Sequence, residues 1–403
     1  MNKNKINFVA IFIVILVLIF SGHEFYSNIL KQKKISIKYI TQEKKIIKPD
    51  KLEINKMYFG DVFWGRYVND WAQASELKEK YPFSGLDSFG RENYQAWIGS
   101  LNCPITEREV PSSLQDETLT FNCTPNYLSE AKKWFNIFSL ANSHTNNQNI
   151  IDGFVKTRQY LDENGTQYFG HYDKDVTSEI CEIVTIKAKP QLDQKEYTAE
   201  KNANYEIKEF YIPFALCGYH NTFSLPTQDQ LDEIAKYANL FPTFVYAIQG
   251  KEYPTEADDL QREYFRKMID EGADAVIGKS AHVVQDTEAY KGKPIIYSMG
   301  NFIYDQQFNE DVTQGIGVEV KINFIYDENL EKWQTIAKSC YQFKDNCLAR
   351  AQELNLAKPK YSVTYNIIAT DNSNHLAKKA SAAIQEKMLL RTNWLQTLQG
   401  LEE

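Results

Sequence analysis

The stretch Ala273–Asp305, ADAVIGKSAHVVQDTEAYKGKPIIYSMGNFIYD, decides how this chain folds. It contains two apolar runs, ADAVIG (273–278) and KPIIYSMG (293–300), each too short for a helix of ordinary length and each bounded by Gly. The first runs into Lys279-Ser280-Ala281-His282 and the second into Asn301. In layered α/β proteins the strand fixes the backbone and the loop beyond its carboxyl end exposes polar groups, so reactive side chains gather there.

The same pattern repeats outward along the chain. Strands are expected at INKMYFG (54–60), QAWIGS (95–100), WFNIFSLA (134–141), FYIPFALCG (210–218), TFVYAI (243–248) and IGVEVKINF (316–324). Helical spacing over 150–164, 227–239 and 257–271 fits helices between them, with Thr227 as an N-cap after Pro226. Residues 360–403 end in an amphipathic helix rich in Ala, Lys and Leu. Short strands alternating with helices predict an α/β, layered sheet-and-helix domain. Its strands end in Asp61 (with Arg66 five residues on), Asn142-Ser143-His144 and Gln249-Gly250-Lys251-Glu252, besides Lys279, His282 and Asn301.

Composition limits the function. With 43% apolar and 24% charged residues in 403, the chain is globular, neither disordered nor a polytopic membrane protein. The exception is Phe8–Phe20, thirteen consecutive apolar residues behind Lys3 and Lys5, which has the proportions of a secretory h-region. Residues 1–22 are therefore expected to be a signal peptide or a single membrane anchor, and residues 23–51 a Lys-rich spacer. The protein is then extracytoplasmic, either membrane-anchored through its N-terminal segment or secreted. The first 51 residues carry a net +7 and the whole chain −8, so residues 52–403 hold −15. A body this acidic repels a phosphate polyanion, and no nucleic-acid partner is expected.

Export permits disulfides. Cys103 with Cys123, and Cys340 with Cys347, would each close a short polar loop, while Cys181 and Cys217 sit in two strand-like runs. No two cysteines lie at zinc-site spacing.

In order and spacing, the segments MYFGDVFWGRY, IGSLNCPIT, SLANSHTNNQNIIDGFVKTRQYLDENGTQYFG and the long stretch EYPTEADDLQREYF through YSMGNFIYD resemble the CapA family of poly-γ-glutamate capsule synthesis. The resemblance covers residues 54–320. It implies a calcineurin-like metallophosphatase architecture: a four-layer α/β/β/α sandwich of two facing mixed sheets flanked by helices, with a two-metal centre at the strand ends. The domain is expected over 52–330, followed by a C-terminal extension over 331–403 that ends in a helix.

The resemblance assigns the site residue by residue. Asp61 matches the family's Gly-Asp carboxylate, His144 its Asn-His histidine and His282 the last histidine of Gly-His-x-Pro-His. These three are the expected metal ligands, with Asp61 and His144 the catalytic pair if the site is active. Arg66, Asn102, Asn142, Glu252, Lys279 and Asn301 are the expected binding residues. The other ligand positions have changed. The family's Asn-Leu-Glu reads Ser100-Leu101-Asn102, the Asn before His144 is Ser143, the His of His-Trp-Gly is Ile248, and the first histidines of Gly-His-His-Pro-His are Lys279 and Ser280.

An isoleucine has no lone pair, and a lysine ammonium is repelled by a metal ion. The remaining set is expected to hold at most one divalent ion (Mn, Fe or Zn), with Lys279 instead supplying the lost positive charge, pairing with Asp61 and receiving a carboxylate or phosphate. A Ser143-His144-Asp61 relay is set aside, because adjacent side chains do not face each other.

The expected function is a CapA-like cell-envelope role in capsule or poly-γ-glutamate synthesis or handling, as a non-catalytic binding or assembly subunit. Its partners would be the anionic polymer or its precursor and the membrane proteins of a polymer synthesis complex. The alternative is a metal-dependent phosphoesterase-like hydrolase acting outside the cytoplasm.

Overall fold

In the computed structural model a twelve-residue strand, β1 (Lys51–Val62), is where the two halves of the sheet meet. Its first half pairs antiparallel, and Lys56–Val62 pairs parallel with β2 (Ala96–Leu101), followed by β3 (Ile137–Ser139) and β4 (Gln167–Phe169). At Lys51–Glu53 it also meets β5 (Cys181–Gln191), which leads into β6 (Phe210–His220), β7 (Thr243–Ile248) and β8 (Ala275–Gly278). Strands β9 (Thr287–Tyr290) and β10 (Lys293–Ile296) finish that side. On the other, β11 (Asn301–Ile303) lies parallel to the end of β1, and β12 (Gln314–Ile325), β13 (Tyr361–Asp371) and β14 (Lys378–Lys379) follow antiparallel. The fourteen strands form one mixed sheet.

The description covers residues 48–148, 152–192, 208–222, 224–279 and 281–402, with Ser27, Lys31 and the pairs 45–46 and 205–206. The run Phe8–Phe20 and most of the Lys-rich spacer lie outside the described residues. Among the described residues no helix is long and apolar enough to cross a membrane. The chain divides into two units. In one, Met1–Lys48 with Gln194–Lys208, Lys45–Ile46 pairs parallel with Tyr205–Glu206. The other, Pro49–Asp193 with Glu209–Glu403, holds the fourteen-stranded sheet.

Alternation along β1 explains why the sheet folds over a core. Leu52, Ile54 and Tyr58 face inward, and Tyr58 meets Phe244 and Tyr246 of β7 at 6.1 Å between ring centroids. Tyr246 donates its hydroxyl to the Phe59 carbonyl and so ties the facing halves together. Met57 and Phe59 point the other way into a second aromatic cluster, where Phe59 stacks on Phe302 at 4.0 Å and meets Trp97 edge-on at 4.8 Å. Such a side chain contributes about 3–5 kcal/mol against truncation to alanine.

Helices cover the outer faces. α1 (Arg66–Ala74), α2 (Leu128–Trp134) and α3 (Gly153–Asn164) pack on the β1–β4 side through Val68, Leu128 and Leu161. α4 (Gln228–Ala238) and α5 (Asp259–Asp270) lie toward β6–β8 through Ile234 and Phe265. α4 starts where its sequence places it: Thr227 and Gln230 form a reciprocal capping box. The layered α/β sandwich expected from the sequence is thus present, its two facing halves of mixed sheet flanked by helices and joined through β1.

Three details differ from expectation. In WFNIFSLA only Ile137–Ser139 is strand, because Trp134 closes α2. KPIIYSMG stops as a strand at Ile296, after which Ser298 and Met299 make single bridges to Lys279 and Val284. Residues 331–403 add β13, paired with β12 over its whole length, before the helices α6 (Ala382–Arg391) and α7 (Trp394–Glu402). The six cysteines form Cys103–Cys123, Cys181–Cys217 and Cys340–Cys347. Cys181 and Cys217 are directly opposed on β5 and β6, 4.0 Å apart at Cα.

Candidate functional site

Four polar residues stand side by side, Asp61, Ser100 and Ser139 toward the carboxyl ends of parallel strands and Asn301 at the start of β11. The register pairs Asn301 of β11 with Asp61 of β1, Asp61 with Ser100 of β2, and Ser100 with Ser139 of β3. The approach is close at the first pair: a Cβ on Gly60 would lie 1.8 Å from the carbonyl oxygen of Gly300, itself at φ +70°. Only glycine allows that contact. Across the other half, His220 ends β6 directly opposite Ile248, which ends β7, and Lys279 follows β8.

Asp61 is 3% exposed. Its Oδ2 lies 3.6 Å from His282 Nδ1, while its Oδ1 has no hydrogen-bond partner. His282 Nδ1 is 2.7 Å from Asn301 Oδ1. The Asn301 Nδ2 donates to the Val312 carbonyl, which fixes the amide orientation, so His282 carries its proton on Nδ1. Lys279 is fully buried and donates to Ser100 Oγ; it makes no ion pair with Asp61 among the described residues. Burial pulls its pKa down to about 8, with the Asp61 charge opposing that fall. The expected Lys279–Asp61 pair is therefore an electrostatic neighbourhood, the contact itself being made to Ser100.

His144 sits in the turn after β3, where Asn142 Oδ1 caps its backbone N–H at 2.9 Å. Its Nδ1 is 2.7 Å from Asn147 Oδ1, an oxygen that also accepts from the Phe121 N–H, so His144 too is protonated on Nδ1. Burial holds its pKa down to about 4; the Asn147 bond opposes this, and His282, Arg66 and His220 add to it. Phe121, tethered near the Cys103–Cys123 disulfide, stacks on His144 at 4.1 Å and lies under the Arg66 guanidinium at 4.7 Å.

The remaining expected residues divide. Asn102 gives Nδ2 to the Tyr304 hydroxyl at 3.2 Å and leaves Oδ1 buried without a partner. Arg66 is buried but already compensated, its Nε reaching Asp305 Oδ2 at 2.6 Å and its Nη1 reaching Asp116 Oδ1 at 3.0 Å. It braces the site and has no net charge to offer. Glu252 is exposed, and its neighbour Tyr253 stacks over His282 at 6.0 Å. Arg66, Tyr253 and His282 hold φ of +46°, +74° and +57°. Strained backbone of this kind clusters at ligand sites, where the surroundings enforce it.

Two residues were not anticipated. Ser139 completes the polar row and is buried with an unpartnered hydroxyl. His220 gives Nδ1–H to the Tyr172 carbonyl at 3.0 Å and keeps Nε2 buried and unpartnered. Burial lowers its pKa, and the Lys279 charge adds to the effect. Its place at the end of an apolar run, like that of His144, was the available signal. Among the described residues no three His, Cys, Asp or Glu side chains come together as a metal-holding group.

Residues 56–306 match the family described as Bacterial capsule synthesis protein PGA_cap. The chain belongs to this family. The PGA biosynthesis protein CapA of Bacillus subtilis (strain 168) is 26% identical over 273 residues, 63% of this chain and 64% of the relative. The capsule biosynthesis protein CapA of Bacillus anthracis is 40% identical over 57 residues, 14% of each chain. An uncharacterized Sinorhizobium fredii protein, y4sH, is 42% identical over 60 residues, 15% of this chain and 13% of its own. The matched stretch thus spans less than two thirds of the Bacillus subtilis protein. The PGA_cap match covers every residue of the polar row and ends at Gln306, just past Asp305, the partner of Arg66.

Proposed function

We propose that this chain is a non-catalytic, extracytoplasmic subunit that handles an anionic capsule polymer of the poly-γ-glutamate type, or its precursor, together with membrane proteins of the synthesis complex. One observation carries the reading: a fully buried lysine amine, Lys279, occupies the strand-end position where the family resemblance expects a metal ligand. A two-metal centre needs a bridging carboxylate and several neutral nitrogen or oxygen ligands. The residues present do not fit it, since Ile248 offers no lone pair and Lys279 places a cation beside Asp61. A cation fixed in the protein serves instead to hold a carboxylate or phosphate.

A second reading has its own support. His144 and His282 share the Nδ1–H arrangement by which proteins orient metal-binding histidines, and His282 lies 3.6 Å from Asp61. That favours a metal-dependent phosphoesterase holding one divalent ion. A phosphodiesterase assay with added manganese separates the two. No turnover is expected; metal-dependent turnover abolished by Asp61→Ala and by His282→Ala would reverse the assignment.

A further inference from the structure

The donor and acceptor inventory of the site narrows what it can receive. Lys279 has three N–H donors, and one is spent on Ser100. Asp61 Oδ1, Asn102 Oδ1 and His220 Nε2 are buried without partners. All three are acceptors only. A carboxylate and an amide oxygen cannot donate, and the Tyr172 carbonyl accepts the Nδ1 proton of His220, leaving Nε2 as a bare lone pair. Buried acceptors left unmatched cost about 1–3 kcal/mol each, so the natural occupant brings donors as well as negative charge. A simple dianion brings no donors to meet them and, beside Asp61, is held on Lys279 more weakly than an occupant that does.

Resting on the reading of Lys279 as the cation of an anion site, we propose that the occupant is the zwitterionic head of an α-amino acid, its carboxylate on Lys279 and its ammonium on Asp61 and His220. His220 is then a binding residue. It stands one strand over from Ile248, opposite it in register, and restores on β6 the lone pair that β7 lacks. In a γ-linked glutamate chain only the amino-terminal unit keeps a free amine beside its α-carboxylate, because every later unit has turned that nitrogen into an amide. The site therefore reads the amino end of the polymer. His282, stacked beneath the exposed Tyr253, keeps 14% of its side chain exposed.

Calorimetry on the purified full-length protein tests this with γ-glutamyl-glutamate, its N-acetyl derivative, inorganic phosphate and manganese. The dipeptide is expected to bind at least tenfold more tightly than the acetylated form. His220→Phe should collapse that ratio to about one, and His220→Gln, which keeps an acceptor, should restore part of it; a purely structural role would leave the ratio unchanged. Equal affinity for both peptides in the wild-type protein overturns the zwitterion assignment while the anion reading stands. Failure of the peptides and phosphate alike overturns both, and manganese bound at one ion per chain shows that the missing donor is a metal.

Discussion

Among the described residues two lysines are fully buried, and they sit in opposite surroundings. Lys56 points into the core between the halves of the sheet, where its Nζ lies 3.3 Å from the Phe244 ring centroid and 4.1 Å from that of Phe214, with no hydrogen-bond partner. Burial lowers its pKa well below the usual lysine range, against a weaker pull from Asp274. Lys279 lies at the strand ends, bonded to Ser100 and within the field of Asp61. Burial alone therefore does not mark a functional lysine. Its neighbours do: an aromatic cage can soften the cost of an amine, whereas a row of polar residues with unspent acceptors points to a ligand.

Replacing each lysine by methionine separates these roles. Lys279→Met should abolish binding of phosphate and of γ-glutamyl-glutamate, read by calorimetry, while the same change at Lys56 should leave that binding intact. Loss in both, or in neither, would erase the distinction. The histidine beside the site gives the next effect. A histidine with a folded pKa of about 4 against about 6.5 unfolded withholds a proton the unfolded chain accepts, so stability falls as pH drops through that window, by roughly 3 kcal/mol in all. Urea unfolding at pH 7 and pH 4.5 should show a loss that is smaller in His144→Gln; equal losses would place the acid sensitivity elsewhere.

The smallest change is expected at the core lysine. Because its folded pKa is lowered, Lys56 contributes a penalty at every pH below the unfolded value of about 10.4, and Lys56→Met should raise stability at pH 7 by about 1–3 kcal/mol. The gain is read as a higher urea midpoint at unchanged slope. Destabilisation would mean that the aromatic cage favours the amine by more than its burial costs.

How much of this was legible in the sequence follows the range of the interactions. Asp61, His144 and Asn301 announce themselves locally, as the polar residues at which apolar runs stop. The start of α4 is local too, written in Thr227 and Gln230. His220 is not, because its meaning comes from lying opposite Ile248 on a strand 28 positions away. Arg66 was expected to bind ligand, and its partner Asp305, 239 residues distant, is beyond any local reading. Lys56 reads as the polar position of an alternating strand, and only the facing half of the sheet turns that position inward. β13 escaped notice because its partner, β12, lies in a different part of the chain.

We propose that a lysine takes the place of the metal at the strand ends. Elemental analysis of the purified full-length protein, made in medium containing manganese, iron and zinc, tests it most directly. Metal far below one ion per chain is expected in the wild-type protein. Near-stoichiometric manganese, iron or zinc, lost in Asp61→Ala and His282→Ala, would contradict it.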